Sequence, residues 1–247
     1  MLNVFIETSG KAHPNDKGPF IVVAVMIQNE NLEKLKFGIH ELKLLSIGPY
    51  GVYSRIKTND IVHGNGILSR FTVEKRSELL DRMMKIIEMS DVKIVYSAIK
   101  NKTSAKKNLA ETTLFNEEIA LRELISRVYF ASRHFSDSEI RFTVDSSQWD
   151  HDRRLSEGVI RLIFDLYKQM ELLGISNDYN VGQTILSTSR VEPFIEIVNL
   201  IAYIVRNNYY RIRHEYKYSF TKYYRTIQSK IYKGFDEGDP KAGIFEL

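Results

Sequence analysis

Three carboxylates sit where chemistry could be built. Glu7 ends an apolar run, Leu2-Asn3-Val4-Phe5-Ile6, that breaks at Ser9-Gly10. Asp145 ends a second such run, Ile140 to Val144. Glu196 belongs to a third stretch, in which Glu192, Glu196, Asn199, Tyr203 and Arg206 follow spacings of 4, 3, 4 and 3. That spacing places the five on one helix face about 100° wide, while Phe194, Ile195, Ile197, Val198, Leu200, Ile201, Ala202, Ile204 and Val205 make the rest of the helix apolar. Oxygen ligands of this kind suit a hard divalent cation, Mg²⁺ or Mn²⁺, with Glu7, Asp145 and Glu196 as its ligands. Plainer readings stand beside this one: Glu7 as a solvated strand end, and the stripe as the solvent-facing edge of a core helix.

Other chemistries have less to stand on. The six histidines, His13, His40, His63, His134, His151 and His214, show no zinc-ligand spacing, and with no cysteine there are neither thiolate sites nor disulfides. There is no G-x-S-x-G elbow and no G-x-x-x-x-G-K-[ST] loop; Gly64-Asn65-Gly66 is too short a match.

Carboxylates at strand ends need a sheet to bring them together, and the chain is long enough for one. Its 247 residues, 43% hydrophobic and 27% charged, have an ordinary globular composition. No 18-residue apolar span and no basic, apolar and small-residue leader pattern is present, so a cytoplasmic protein is expected. The net charge of +4 is unevenly spread. Between Arg206 and Lys233 eight Lys or Arg face one acid, Glu215, a local +7 that leaves −3 for the rest. Seven tyrosines interleave the bases: Tyr209, Tyr210, Tyr216, Tyr218, Tyr223, Tyr224 and Tyr232. Such a flank suits a DNA or RNA surface, with bases on phosphates and rings stacked on nucleobases. It equally suits an amphipathic helix whose tyrosines are half buried.

Hydrophobic periodicity predicts the remaining elements. Strands are expected over the first run, over Pro19–Ile27 as its hairpin partner, and over Val92–Ile99, Ile140–Asp145 and Tyr179–Leu186. Helices are expected over Leu32–Leu45, Glu74–Met89, Thr113–His134, Asp152–Leu173, 192–209 and 217–232. Ser46–Phe71, with four glycines, reads as a long irregular connection. The order predicts a mixed α/β fold with an antiparallel first pair and later strands returning through helical crossovers. Strands one and four then become neighbours, with Glu7 and Asp145 at one sheet edge. A single domain over 1–233 is expected, followed by a tail over 234–247.

The motifs also resemble a family. F-I-E-T-S-G at 5–10 followed by G-P-F-I-V-V-A-V is similar to the opening D-E-S-G region of the domain-of-unknown-function family 3800. R-I-K-T-N-D-I at 55–61 resembles its short lysine- or histidine-containing motif. V-D at 144–145 is similar to its later acidic strand end, and E-P-F-I-E-I-V-N-L-I-A-Y at 192–203 to its closing helix, typically S-P-L-I-Q-x-A-D. The resemblance implies a ribonuclease-H-like fold, here a mixed five-stranded sheet flanked by helices with extra helices after strand two, and metal-dependent phosphodiester hydrolysis. It implies Glu7, Asp145, Glu196 and Asn199 as catalytic positions, the first, second and third of them as metal ligands, with Lys57 of the short motif against nucleic acid, to which the basic flank adds Arg206, Arg211, Arg213 and Lys217. Departures are equally specific. Thr8 and Asn199 stand where the family has carboxylates, Glu196 where it has Gln, and Arg55 at an often acidic position. The alternative that these departures imply is a degenerate module that binds nucleic acid or a protein partner without cutting.

Overall fold

The computed structural model describes residues 1–13, 16, 18–100, 109–135, 139–145, 161, 165, 168, 180–187, 192–210, 220–234 and 244–246. Among them, Leu2–Ser9 forms strand β1 and Phe20–Gln28 forms β2, apolar over Val4–Ile6 and Phe20–Ile27 respectively and both buried along nearly their whole length. Runs of this kind are stable only where both faces of a sheet are covered. The coverage is visible in two separate cores. Leu2, Val4 and Ile6 join one core with Val22, Ala24 and Met26, while Phe5 joins the other with Ile21, Val23 and Val25. The two-residue period of a strand therefore sends Glu7 to the Phe5 side.

Lys93–Ile99 forms β3, Glu139–Asp145 β4, Asn180–Ser187 β5 and Ile244–Glu246 β6. The sheet runs β5-β4-β1-β2-β3-β6. β1 pairs antiparallel with β2, β2 antiparallel with β3, and β1 parallel with β4. The expected mixed α/β architecture and the adjacency of strands one and four are both present. Ile6 partners Val144, so backbone positions 7 and 145 lie one step further along the same parallel pair. The five-stranded expectation is corrected, because the sheet has six strands. The sixth comes from the expected tail, where only three residues pair parallel with Tyr96, Ser97 and Ala98 and Ile244 packs half-buried against the core. Three residues are too few to show a period.

Helices α1 (Asn29–Ile47), α4 (Val73–Met89) and α6 (Phe194–Tyr210) pack on the Phe5 side, with α7 (Phe220–Lys230) beside them. α5 (Leu109–Ser132) covers the other face through Ala120, Leu121, Leu124, Ile125 and Val128. The connection over 46–71 is not irregular. It holds α2 (Pro49–Val52), α3 (Thr58–His63) and a 3₁₀ turn over Gly66–Leu68. Segments of four and six residues are shorter than the window in which a helical period can be read. Local chemistry sets their limits: Pro49 occupies the first position of α2, and Gly64, at φ 69°, ends α3 in the left-handed conformation. Arg76 of α4 then donates to the carbonyls of Ile61 and Val62, satisfying acceptors that the end of α3 leaves open. The helix expected over 152–173 lies outside the described residues.

Candidate functional site: a polar seam beneath helix α6

α6 lies against β1 and β2, with Phe194 packed edge-on to Phe5 at 4.9 Å between ring centroids. Tyr203 of its polar stripe packs on the Phe220 ring at 5.6 Å; the other four positions are turned toward the N-terminal third of the chain. Glu192 ion-pairs with Lys36 of α1 at 2.8 Å. One turn on, Glu196 Oε1 accepts from Lys43 Nζ at 2.9 Å and from the Ile56 backbone N–H at 3.1 Å. Asn199 follows, donating from Nδ2 to Glu7 Oε1 at 2.7 Å. Its Oδ1 accepts from the Thr58 N–H and hydroxyl, both at 3.1 Å. At the far end Arg206 reaches Asp16 at 3.2 Å and the Pro19 carbonyl at 3.4 Å.

The stripe thus faces neither bulk solvent nor an open cleft. It is a seam of polar contacts that fastens α6 to α1, the 54–58 segment, β1 and the 16–19 loop. Its middle is dry at Glu7, Thr58 and Glu196, each 1% exposed, with Asn199 between them half-buried. Its ends are wetter, since the side chains of Lys36 and Arg206 are 26% and 27% exposed.

Electrostatics differ along the seam accordingly. Burial pushes the Glu196 carboxyl above its usual value, opposed by the Lys43 ammonium, the Ile56 N–H and Arg55. Oε2 of Glu196 is buried and has no hydrogen-bond partner among the described residues. At Lys36 burial pulls the ammonium down, but hydrogen bonds and attraction to Glu192 and Glu33 outweigh it and leave its pKa raised.

The orientation of Asn199 is set by its partners. A backbone N–H can only donate, so the Thr58 N–H fixes Oδ1 on its side and turns the NH₂ toward Glu7. Glu7 consequently meets a hydrogen-bond donor at position 199. Among the described residues no three His, Cys, Asp or Glu side chains form a metal-holding group. The donor chemistry agrees: a divalent ion on Glu196 would lie next to a fixed ammonium, and like charges about 4 Å apart repel by about 4 kcal/mol per unit charge at an effective dielectric near 20. Glu196 does not fit the role of metal ligand. Asp145 is placed here by its strand position alone.

The basic flank divides. On α7, Tyr223 donates to Asp81 at 2.9 Å, the Tyr224 hydroxyl meets that of Tyr96 at 3.0 Å, and beyond the helix the Tyr232 hydroxyl meets His134 at 3.1 Å. These tyrosines are core-edge residues and not stacking platforms. Lys230 donates to the Ser90 carbonyl at 2.6 Å, and Arg206 is engaged by Asp16. Lys222 and Arg225 are exposed. Arg211, Arg213 and Lys217 lie outside the described residues. Lys57 is half-buried and precedes α3, where its carbonyl accepts from Asp60 and Ile61.

Lys43 and Thr58 are the residues that sequence reasoning passed over. Lys43 had a signal: it lies on the same face of α1 as Leu32, Ile39 and Ile47, where a lysine needs a buried partner. Thr58 adjoins Lys57 in the short motif, but nothing in the spacing distinguished it.

Gly10 follows Glu7 into this region with φ 88°. An added Cβ would lie 2.7 Å from the Pro19 carbonyl oxygen and 2.6 Å from Arg206 Nε. Left-handed backbone costs a non-glycine residue roughly 1–2 kcal/mol, and the clash with backbone adds to it. Gly10→Ala is therefore expected to destabilise the fold by about 3 kcal/mol, measured as a lower urea midpoint at unchanged slope. Arg206→Ala, which removes a half-exposed ion pair, should cost about 1 kcal/mol or less.

No protein-family model matches the chain, and no curated protein matches it. Among solved structures it is similar to the ribonuclease H2 of Pyrococcus horikoshii OT3, with 13% identity over 85% of this chain and 74% of that one, at a TM-score of 0.41. It is also similar to the RNase HII of Archaeoglobus fulgidus in a PCNA:RNase HII complex, with 14% identity over 87% and 77% of the two chains, at a TM-score of 0.39. At these TM-scores neither likeness assigns a family or an activity.

Proposed function

We propose that the chain is a ribonuclease-H-like module whose catalytic positions have become structural, and that it binds nucleic acid without cutting it. The observation that carries this reading is the Asn199 amide, held by Thr58 and donating to Glu7. A carboxylate at position 199 would draw a cation toward Glu7, whereas the amide already occupies one of the Glu7 oxygens. The Lys43–Glu196 pair acts in the same sense, neutralising the next acidic group along the helix. The central β1, antiparallel to β2 and parallel to β4, supports the ribonuclease-H-like reading of the fold. The local +7 of residues 206–233 supports the choice of nucleic acid as partner.

A second reading rests on the β1–β4 register. Positions 7 and 145 are adjacent along a parallel pair, so Glu7 and Asp145 remain the two groups that would hold Mg²⁺ or Mn²⁺ in a residual nuclease. When bound, such an ion would supply an activated water and charge stabilisation for phosphodiester hydrolysis.

One experiment separates the two. Labelled single- and double-stranded DNA and RNA are incubated with the chain in Mn²⁺, and binding is followed in parallel over a salt series. The expected result is binding without cleavage, with log K falling against log salt at a slope of about −3 to −4 if four or so phosphates are engaged. Replacing Arg211, Arg213 and Lys217 with Ala should flatten that slope. Cleavage that disappears in Asp145→Ala would establish the second reading instead.

A further inference from the structure

The outward face of α1 carries large apolar side chains among its charged ones. Phe37 is 71% exposed, Leu45 70% and Leu44 44%, and just beyond the helix Tyr50 and Tyr53 are 86% and 85% exposed. The opposite face of α1 is already used, with Leu32, Ile39, Leu42, Lys43 and Ile47 buried. At roughly 200 Å² per aromatic side chain, the three rings alone expose about 500 Å². The two leucines carry the patch past the ~300–600 Å² of the largest patch on a typical monomer and toward the ~800 Å² per partner of a stable interface.

We infer that this face binds a second copy of the chain, α1 against α1 about a two-fold axis near Phe37 and Gly38. Charge on the same face selects this occupant. Lys34 and Glu41 are both exposed, lie seven residues apart, and have no partner among the described residues. Seven residues bring a helix back to nearly the same angular position about 10.5 Å along its axis, too far for the two to pair within one helix. Across a two-fold axis midway between them, Lys34 of each copy faces Glu41 of the other. An isologous interface requires such self-complementarity, residue i on j and j on i. Gly38 fits the crossing point, since nothing lies within 4 Å of where its Cβ would be.

The test is sedimentation of the full chain at tens of micromolar. The expected mass is twice 28.8 kDa. Phe37→Glu should return the mass to 28.8 kDa with a nearly unchanged melting temperature, because most of the side chain is already in solvent. Lys34→Glu and Glu41→Lys should each weaken association at least tenfold, and the double exchange should restore it, since the swapped pair meets again across the axis. A monomer at all these concentrations, a dimer indifferent to Phe37→Glu, or single exchanges that the double exchange fails to rescue would overturn the inference. Loss of single-stranded oligonucleotide binding in Phe37→Glu, with the mass at 28.8 kDa throughout, would overturn it in favour of a stacking surface.

Discussion

Lys43→Met is expected to remove about 3–5 kcal/mol of unfolding free energy at pH 8, because it leaves Glu196 buried without its counter-charge. Lys43 and Glu196 have side chains 5% and 1% exposed, so solvent cannot replace the lost partner. The loss should depend on pH in a stated direction. The folded Glu196 carboxyl is raised above its usual 4.5, chiefly by burial. A raised carboxyl favours the protonated folded state, so its contribution is fully present below the unfolded pKa and is lost as pH rises through the folded value. Removing Lys43 takes away the largest influence holding that carboxyl down and raises it further. The gap between variant and wild type should therefore be narrower near pH 5 and widen toward pH 8. Adding Glu196→Gln to Lys43→Met should recover most of the loss, since the amide oxygen still accepts from the Ile56 N–H and no charge is buried. What remains is the Ser54 carbonyl, which Lys43 serves at 2.7 Å, an orphaned acceptor worth about 1–3 kcal/mol. Urea unfolding of the three proteins at both pH values measures all of this, and equal losses at pH 5 and pH 8 would contradict it.

Asn199→Asp should cost about 3 kcal/mol in the presence of chelator, which for a chain of this size lowers the melting temperature by roughly 6–12 °C. The substitution keeps volume nearly constant but sets a carboxylate oxygen against Glu7 Oε1, where the amide now donates at 2.7 Å. One hydrogen bond is lost and two like charges are brought together, so one of the carboxyls must take up a proton or the segment must open. Melting in chelator and in millimolar Mn²⁺ then distinguishes the proposed functions. If the seam is purely structural, the two shifts are equal. If Glu7 and Asp145 retain an affinity for a divalent ion, the added carboxylate completes their site and Mn²⁺ restores the melting temperature.

Much of the fold was legible because its strands are extreme. β1, β2 and β3 are runs buried on both faces, and such runs leave continuous apolar sequence that survives any error in their exact limits. The polar stripe of α6 was legible as a stripe for a related reason: spacing reports which residues share a face. It does not report what stands opposite. The partners of Glu196, Asn199 and Arg206 lie 153, 192 and 190 residues away, and no local pattern connects them. Solvent edge, open cleft and sealed seam all produce the same periodicity. Only Lys43, a charge among the leucines and isoleucines of α1, hinted at the third. The flank stayed open in the same manner, because tyrosines that close a core and tyrosines that stack bases are alike until their hydroxyl partners are known.

Those long separations also bear on how the chain is made. At a synthesis rate of roughly 5–20 residues per second, Lys43 leaves the ribosome about 8–30 seconds before the Glu196 that neutralises it. Glu7 waits longer for Asn199. During that interval the β1–β2 hairpin and α1 can form, since their contacts are local, but the surface destined for α6 is bare, with Phe5, Ile21 and Val23 on it. The nascent chain thus carries an apolar sheet face dotted with unmatched charge, and closing it depends on contacts of high sequence separation, which form slowly. Arrival of α6 caps the apolar face, pairs Lys36, Lys43 and Asp16 with opposite charges and gives Glu7 an amide donor in a single docking event, so the last third of the chain decides whether the first third becomes native or aggregates.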